Sequence, residues 1–257
     1  MTCDVAIIFH SMLILALDTT TRSGSCALAR DGQVILEEAS DASTRPAARL
    51  PGDLMALVEH AGVTLAEVDL FAVATGPGSF TGLRIGIATM QGLAFAAGKP
   101  LIGISGFDAL SATTHYPLPT PRIAAWVDAW RGEVYAALFE AGAAAPEPTV
   151  ALPGDLLRSY EAKGGGPDKV RPTDGQDVIT FVGDGASTYR DLILAALGDR
   201  ARIAEPAAPI LAGVIAQLAA DAARAGELPA PHAIRPLYVR RPDVELVRDA
   251  PPTRNKA

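Results

Sequence analysis

Asp18 closes the apolar run LILALD (13–18), and Asp128 closes RIAAWVD (122–128). Two carboxylates at matched strand ends, facing across a cleft, can hold Mg²⁺ together with ATP. A phosphate that approaches the backbone beside such a carboxylate wants a glycine there, because a Cβ would keep it away. Neither strand supplies one: the chain continues DTTT from Asp18 and DAWRGEVY from Asp128. Asp18 therefore reads either as a ligand-binding carboxylate or as a hydrogen-bonding cap. Asp128, Arg131 and Glu133 read as a polar cleft set or as a structural network.

The second candidate is GPGSFTGLRIGIATMQGLAFAAG, residues 76–98. It is not a Walker A loop, because the sixth position counted from Gly78 is Leu83 and no Lys follows. Nor is it the dinucleotide fingerprint: Gly76 and Gly78 fit, but the third glycine, Gly82, comes one residue late. What remains is a turn that aims a helix, with Ser79 or Thr81 as its cap. The free N–H groups of a helix start still favour an anion. Ser79, Thr81 and Arg84, with Asp18, are thus the candidate cofactor-binding residues. Arg84 stands among apolar residues and needs a carboxylate, a phosphate or solvent. Gly82, Gly86 and Gly92 each disfavour the helix by about 1 kcal/mol relative to Ala, which implies a close backbone neighbour, either the chain's own sheet or a partner.

Other chemistry is weakly indicated. His10, His60, His115 and His232 have no metal-ligand spacing, and Cys3 and Cys26 form neither a ligand pair nor a disulfide scaffold. No Ser-His-Asp or Cys-His set emerges, so no catalytic residue and no metal site is assigned.

These residues must be positioned by a chain of 257 residues, 49% hydrophobic and 20% charged, with net charge −7. That composition supports a large core and argues against disorder. The acidic balance argues against a self-sufficient nucleic-acid binder; the only short basic group is Arg235, Arg240 and Arg241. The opening VAIIFHSMLILAL is too short and interrupted for a membrane span and lacks the basic start of a signal peptide. Residues 1–11 read as an unstructured lead before a start at Met12, or as an extra strand. The cytoplasm is the default compartment.

Hydrophobic periodicity predicts strands over 13–19, 23–30 and 33–40 joined by tight turns, a helix over 50–61, a short turn opened by Thr64 with Glu67 in a capping box, and a strand over 70–75. The 82–97 helix, a strand over 99–105 and a short helix over 107–113 follow. A three-strand meander followed by βα units is the layout of the α/β ribonuclease-H-like, or actin-like (ASKHA), fold. After the Pro-rich joint at 115–121, strands over 122–129 and 132–142 partly echo the first unit, so two related lobes are expected: 12–111, and a smaller one over 112–205. The stretch AAAPEPTVALPGDLL and the segment 161–177 read as loops, 178–186 as a strand and Gly turn, 188–197 as a helix, and 206–257 as a return helix (209–226) with an extended tail.

MLILALDTT (12–20), ATGPGSFTGLRIGIATMQGLA (74–94), Pro100 with IGIS (102–105), VDAWRGEVYAALF (127–139), VGDG (182–185) and PLYVRR (236–241) occur in the order seen in the TsaB (YeaZ) family of tRNA threonylcarbamoyladenosine biosynthesis proteins, which the chain resembles from Met12 onward. The resemblance implies a non-catalytic relative of the catalytic subunit TsaD, lacking its metal-binding histidines. It implies pairing with TsaD through first-lobe helices, support of threonylcarbamoyl transfer to adenosine 37 of tRNAs that read codons beginning with A, a TsaE-like P-loop ATPase as a further partner, and a homodimer over a related surface. tRNA is met only through the complex, no membrane is involved, and no cofactor is tightly held, with ATP or ADP placed at the partner interface. Carried onto this chain, the partner face falls on 50–61 and 82–97, with Leu54, Leu57, Gly82, Gly86, Met90 and Leu93 as interface residues. The chain departs from the family at Trp130, where the family's DARxGEVY has Arg, and at Arg45, where members often carry His. An actin-fold ATPase or glycopeptidase-like enzyme is the alternative.

Overall fold

The computed structural model describes residues 11–21, 24–40, 46–114, 122–163 and 178–240. The expectations for residues 1–10, Arg45, the joint at 115–121, residues 164–177 and Arg241 lie outside the described residues.

The first sheet contains β1 (Leu13–Asp18), β2 (Ser25–Arg30), β3 (Gln33–Ala39), β4 (Leu70–Ala74) and β5 (Leu101–Ile104), in the order β3-β2-β1-β4-β5. β1 runs antiparallel to β2 and parallel to β4, and Asp31–Gly32 make the turn that sets Arg30 opposite Gln33. Side chains alternate across a strand, so β1 serves two cores. Leu13, Leu15 and Leu17 face α1 (Pro46–His60) and α2 (Phe80–Ala97), where Leu54, Leu57, Ile87 and Met90 meet them. Ile14 and Ala16 face the other way, toward α3 (Gly106–Thr113) and α7 (Ala212–Arg224). Between β3 and β4, Thr64 N and Oγ1 both donate to Glu67 Oε2, at 2.7 and 2.8 Å, so the expected Thr64–Glu67 contact is present on a single short turn.

The second sheet repeats the plan: β6 (Arg122–Asp128), β7 (Val134–Glu140), β8 (Thr149–Ala151), β9 (Ile179–Val182) and β10 (Ala201–Ile203), in the order β10-β9-β6-β7-β8. Three antiparallel strands again join two parallel ones. This is the two-lobed actin-like arrangement. α4 (Pro153–Lys163) and α6 (Arg190–Leu197) cover one face, where Trp126 meets Phe181 edge-on at 5.2 Å. α5 (Asp184–Thr188) follows β9.

Two expectations are corrected. The stretch read as a loop contains β8 and the start of α4: Pro153 opens the helix and Leu156, Leu157 and Tyr160 form its buried stripe. β8 and β10 have three residues each, too few for a periodic signal. The return helix begins at Ala212 rather than at Pro209. It packs on the first sheet through Ile215, Ala216, Ala219 and Ala220, and its start is held by β2 and β3. Ser25 Oγ accepts from Leu211 and Ala212 N, and Glu37 Oε1 accepts from Gly213 N at 2.7 Å, so the orphan donors of the helix end are met by another element.

The glycines of α2 have a specific neighbour. A Cβ on Gly82 would lie 2.5 Å from the Thr19 carbonyl oxygen, and one on Gly86 would overlap Thr19 Oγ1 and sit 3.0 Å from its Cγ2. Gly78 meets the Thr20 backbone in the same way. Overpacking of this kind typically costs about 1–3 kcal/mol, against a helix-propensity gain of about 1 kcal/mol for Gly→Ala. Gly82→Ala and Gly86→Ala should both destabilise the protein. Adding Thr19→Ala should rescue Gly86→Ala in part, because it removes Oγ1 and Cγ2 and keeps only Cβ at 3.2 Å, and should leave Gly82→Ala unrescued, because the carbonyl stays. A double-mutant cycle by chemical denaturation measures this; equal rescue of both would contradict the assigned contacts.

Candidate functional site

The ends of β1, β6 and β9 converge on one cleft of about 230 Å³ between the lobes. Asp18, Thr20, Thr21, Asp128, Trp130, Asp184 and the segment Ala208–Ile210 line it. Asp18 is only 2% exposed. Its Oδ1 accepts from Thr20 N at 2.8 Å and Thr20 Oγ1 at 2.7 Å. Burial pushes the Asp18 carboxyl above its ordinary range; the Thr20 bonds oppose this, and the charges of Asp184 and Glu37 add to it. Asp184 is also raised, chiefly by burial, against the bond that its Oδ1 accepts from Asp128 N at 2.9 Å.

Asp184 is a cleft residue that the sequence reading did not single out. Its signal was present: VGDG follows a third apolar strand, the counterpart of the strand ends at Asp18 and Asp128. Gly183 and Gly185 admit the Trp126–Val127 backbone, which places the Asp184 carboxylate beside Asp128.

Of the polar trio, only Asp128 lines the cleft. Its Oδ1 accepts from Trp130 N at 2.9 Å, within a turn where Trp130 (φ 55°), Arg131 (φ 58°) and Gly132 (φ 76°) are all left-handed. Glu133 pairs with Arg240 from the C-terminal segment. The turn also points Trp130, rather than a cation, at the cleft wall.

Of the two expected caps of α2, Ser79 is the one that caps it. Ser79 Oγ accepts from Gly82 N and its own N–H donates to Thr20 O, so it caps α2 and seats the β1 loop. Thr81 is exposed. Arg84 is exposed; its guanidinium lies 3.8 Å over the Phe80 ring, and Nε donates to Tyr238 Oη at 2.8 Å. Asp18 alone of this set reaches the cleft.

The interface residues are corrected as well. Leu54, Leu57 and Met90 are core, Gly82 and Gly86 are closed by Thr19, and Leu93 is half-buried against the same core. The side of α2 left to solvent carries Ala88, Gly92, Phe95 and Ala96 instead, with Phe95 86% exposed. On neighbouring α1, Met55 is 53% exposed. The missing signal was helical phase: the small residues form more than one stripe, and only the fold shows which stripe faces the chain's own β1 loop.

An actin-like fold implies ATP with a divalent cation between the lobes. The residues present do not fit that ligand on their own. Among the described residues, three carboxylates and no Lys or Arg line the cleft, and the backbone after Asp18 lies against α2 rather than open to a phosphate. Among the described residues no group of three His, Cys, Asp or Glu is arranged to hold a metal ion.

Because folding raises the Asp18 pKa above the ordinary value of 3.8, its contribution to stability is greatest below that value and is lost as pH rises through the raised one. Asp18→Asn, whose amide oxygen can keep the Thr20 bonds, should therefore melt higher than the parent protein at neutral pH. The advantage should shrink on acidification. Thermal melts from acidic to neutral pH check the sign.

A family model described as TsaD, tRNA N6-adenosine threonylcarbamoyltransferase, matches residues 30–249. The tRNA threonylcarbamoyladenosine biosynthesis protein TsaB of Escherichia coli is 37% identical over 131 residues, covering 50% of this chain and 55% of the relative. That of Haemophilus influenzae is 36% identical over 128 residues, covering 49% and 53%. The chain thus spans about half the length of these curated relatives. The solved structure of YeaZ from Pseudomonas aeruginosa superposes with a TM-score of 0.65 at 28% identity, covering 88% of this chain and 99% of that one. Component A of (R)-2-hydroxyglutaryl-CoA dehydratase from Acidaminococcus fermentans, at 11% identity and a TM-score of 0.51, shares the fold alone. With most of its length inside the family model and its lobes superposing on YeaZ, the chain belongs to the TsaD family and is homologous to its TsaB/YeaZ relatives.

Proposed function

We propose that the protein is a non-catalytic subunit that binds a TsaD-type catalytic subunit and supports threonylcarbamoyl transfer to adenosine 37 of tRNAs reading codons that begin with A. The observation that carries this reading is the exposed apolar stripe of α2, with Phe95 86% exposed and Met55 of α1 nearby. A side chain that large and apolar, flanked by the exposed small residues Ala88, Gly92 and Ala96, suits close helix-on-helix docking. The small residues let a partner helix approach, and Phe95 supplies the area.

In this reading the interlobe carboxylates have no catalytic task. ATP or ADP belongs at the partner interface, where a second chain adds cations beside the carboxylates of the cleft. A TsaE-like ATPase joins the assembled pair, a homodimer uses the same α1–α2 surface when the catalytic subunit is absent, and tRNA is met through the complex in the cytoplasm. No helix among the described residues is long and apolar enough to cross a membrane.

Co-purification with a TsaD-type subunit, followed by a modification assay with and without this chain, tests the proposal. Phe95→Asp and Gly92→Arg change exposed positions, so the fold should persist while binding weakens by roughly tenfold or more, the size of a lost hot-spot contact. Undiminished binding by both variants would remove the docking face. An actin-fold ATPase is the second reading, favoured by the three carboxylates of the cleft; ATP turnover by the isolated chain, abolished in Asp18→Ala, would replace the first.

A further inference from the structure

Residues 231–240 run from α2 of the first lobe to the β6–β7 turn of the second, and contacts hold them along the way. At the start, Gln91 Nε2 donates to Pro231 O at 2.9 Å and Ile234 O at 3.2 Å. Ile234 is buried against the first-lobe core and lies over Gly103, where a Cβ would come within 3.0 Å of its Cγ2. In the middle, Leu237 N donates to Thr75 O at 2.7 Å. Tyr238 stacks on Phe80 with ring centroids 5.3 Å apart and accepts from Arg84 Nε. At the far end, Arg240 pairs with Glu133, donates to Ala129 O at 3.2 Å and lies 5.8 Å from the Tyr135 ring centre.

The two ends bear on different features. Arg84 and Gln91 are seven residues apart, so with Ala88 and Phe95 they form one stripe of α2, the exposed stripe. Arg240 brackets a turn in which Trp130 and Arg131 hold left-handed backbones, a conformation that non-glycine residues keep only where surrounding contacts impose it. That turn carries Asp128 and Trp130 into the cleft wall.

We propose that residues 231–240 are a strap through which the exposed face of α2 and the interlobe cleft act on each other. A chain seated on Ala88 and Phe95 lies beside Arg84 and Gln91 and shifts the grip on Tyr238. The change passes along the strap to Arg240, whose hold on Ala129 and Glu133 sets whether Trp130 stays against the cleft. The coupling is reciprocal: a ligand that orders the turn tightens the strap and presents α2 in its docked form. The strap itself rests on the contacts above; that the chain seated on α2 is a TsaD-type subunit rests on the function proposed above.

Hydrogen exchange on the full-length protein tests this, comparing the parent with Arg84→Ala, Arg240→Ala and Tyr238→Phe. Arg84→Ala, at the α2 end, should speed exchange of the 129–133 amides by about two- to tenfold, the effect of one lost hydrogen bond on a local opening. Arg240→Ala should speed exchange of the Leu237 amide by a similar factor. Tyr238→Phe keeps the ring packing and the fold and should move both segments in the same direction, by less. If each substitution changes only its own end, the strap transmits nothing and the proposal fails. In a second arm a TsaD-type subunit is added: slowed exchange at 129–133 in the parent, and its loss in Arg84→Ala, supports the coupling, whereas binding that leaves 129–133 unchanged overturns it. Absence of binding counts against the docking function, and the isolated-chain comparison then decides the strap.

Discussion

The first lobe depends on the approach of Thr19 and Thr20 to Gly78, Gly82 and Gly86, which line one side of α2 and its entry turn and leave no room for a Cβ. Those glycines are spaced by four, so they stack on one side of the helix and its entry turn, and the loop leaving β1 lies in the groove they form. Much follows from that contact. Ser79 is drawn into capping α2 while its N–H holds the Thr20 carbonyl. The loop turns back on Asp18, whose carboxylate takes the Thr20 amide and hydroxyl. With this side of α2 filled by its own chain, the opposite side, bearing Phe95, is left to solvent.

The same contact shapes the chemistry of the cleft. In a fold whose interlobe space implies nucleotide, the loop after β1 would have to lie open to phosphate. Here it is closed against a helix, and the described lining is three carboxylates, two hydroxyls, an indole, Gly24 and the apolar segment Ala208–Ile210. Burial without a cation raises two of those carboxyls and leaves a site unsuited to a triphosphate held by this chain alone. Two nearby cationic side chains are committed elsewhere, Arg84 to the rings of Phe80 and Tyr238 and Arg240 to Glu133. These two arginines hold the C-terminal segment across the lobes.

Much of the fold was legible because its signals are local. The Asp31–Gly32 turn, the alternation of LILALD and the Thr64–Glu67 pair each encode a conformation within a few residues. β8 and β10 were not legible, since three residues carry no period and each exists only because a longer strand offers an unpaired edge. The cleft was half legible. Asp18 and Asp128 stand out as polar ends of apolar strands, and Asp184 follows the same rule within VGDG. The contacts of Arg84 with Tyr238 and of Glu133 with Arg240 were not legible, because these partners lie more than a hundred residues away.

The sequence by itself determined the two-lobed plan, the polar strand ends and the need for a close neighbour along α2, because composition, periodicity and glycine spacing act at short range. Only the tertiary structure decided who that neighbour is. Helical periodicity says which residues share a stripe, but not which stripe meets the core. That choice is made by the β1 loop, brought against α2 by the parallel pairing of β1 with β4 across more than fifty residues of chain. It turned Gly82, Gly86, Leu54, Leu57 and Met90 from surface into interior and left Phe95 as the side chain a partner can reach.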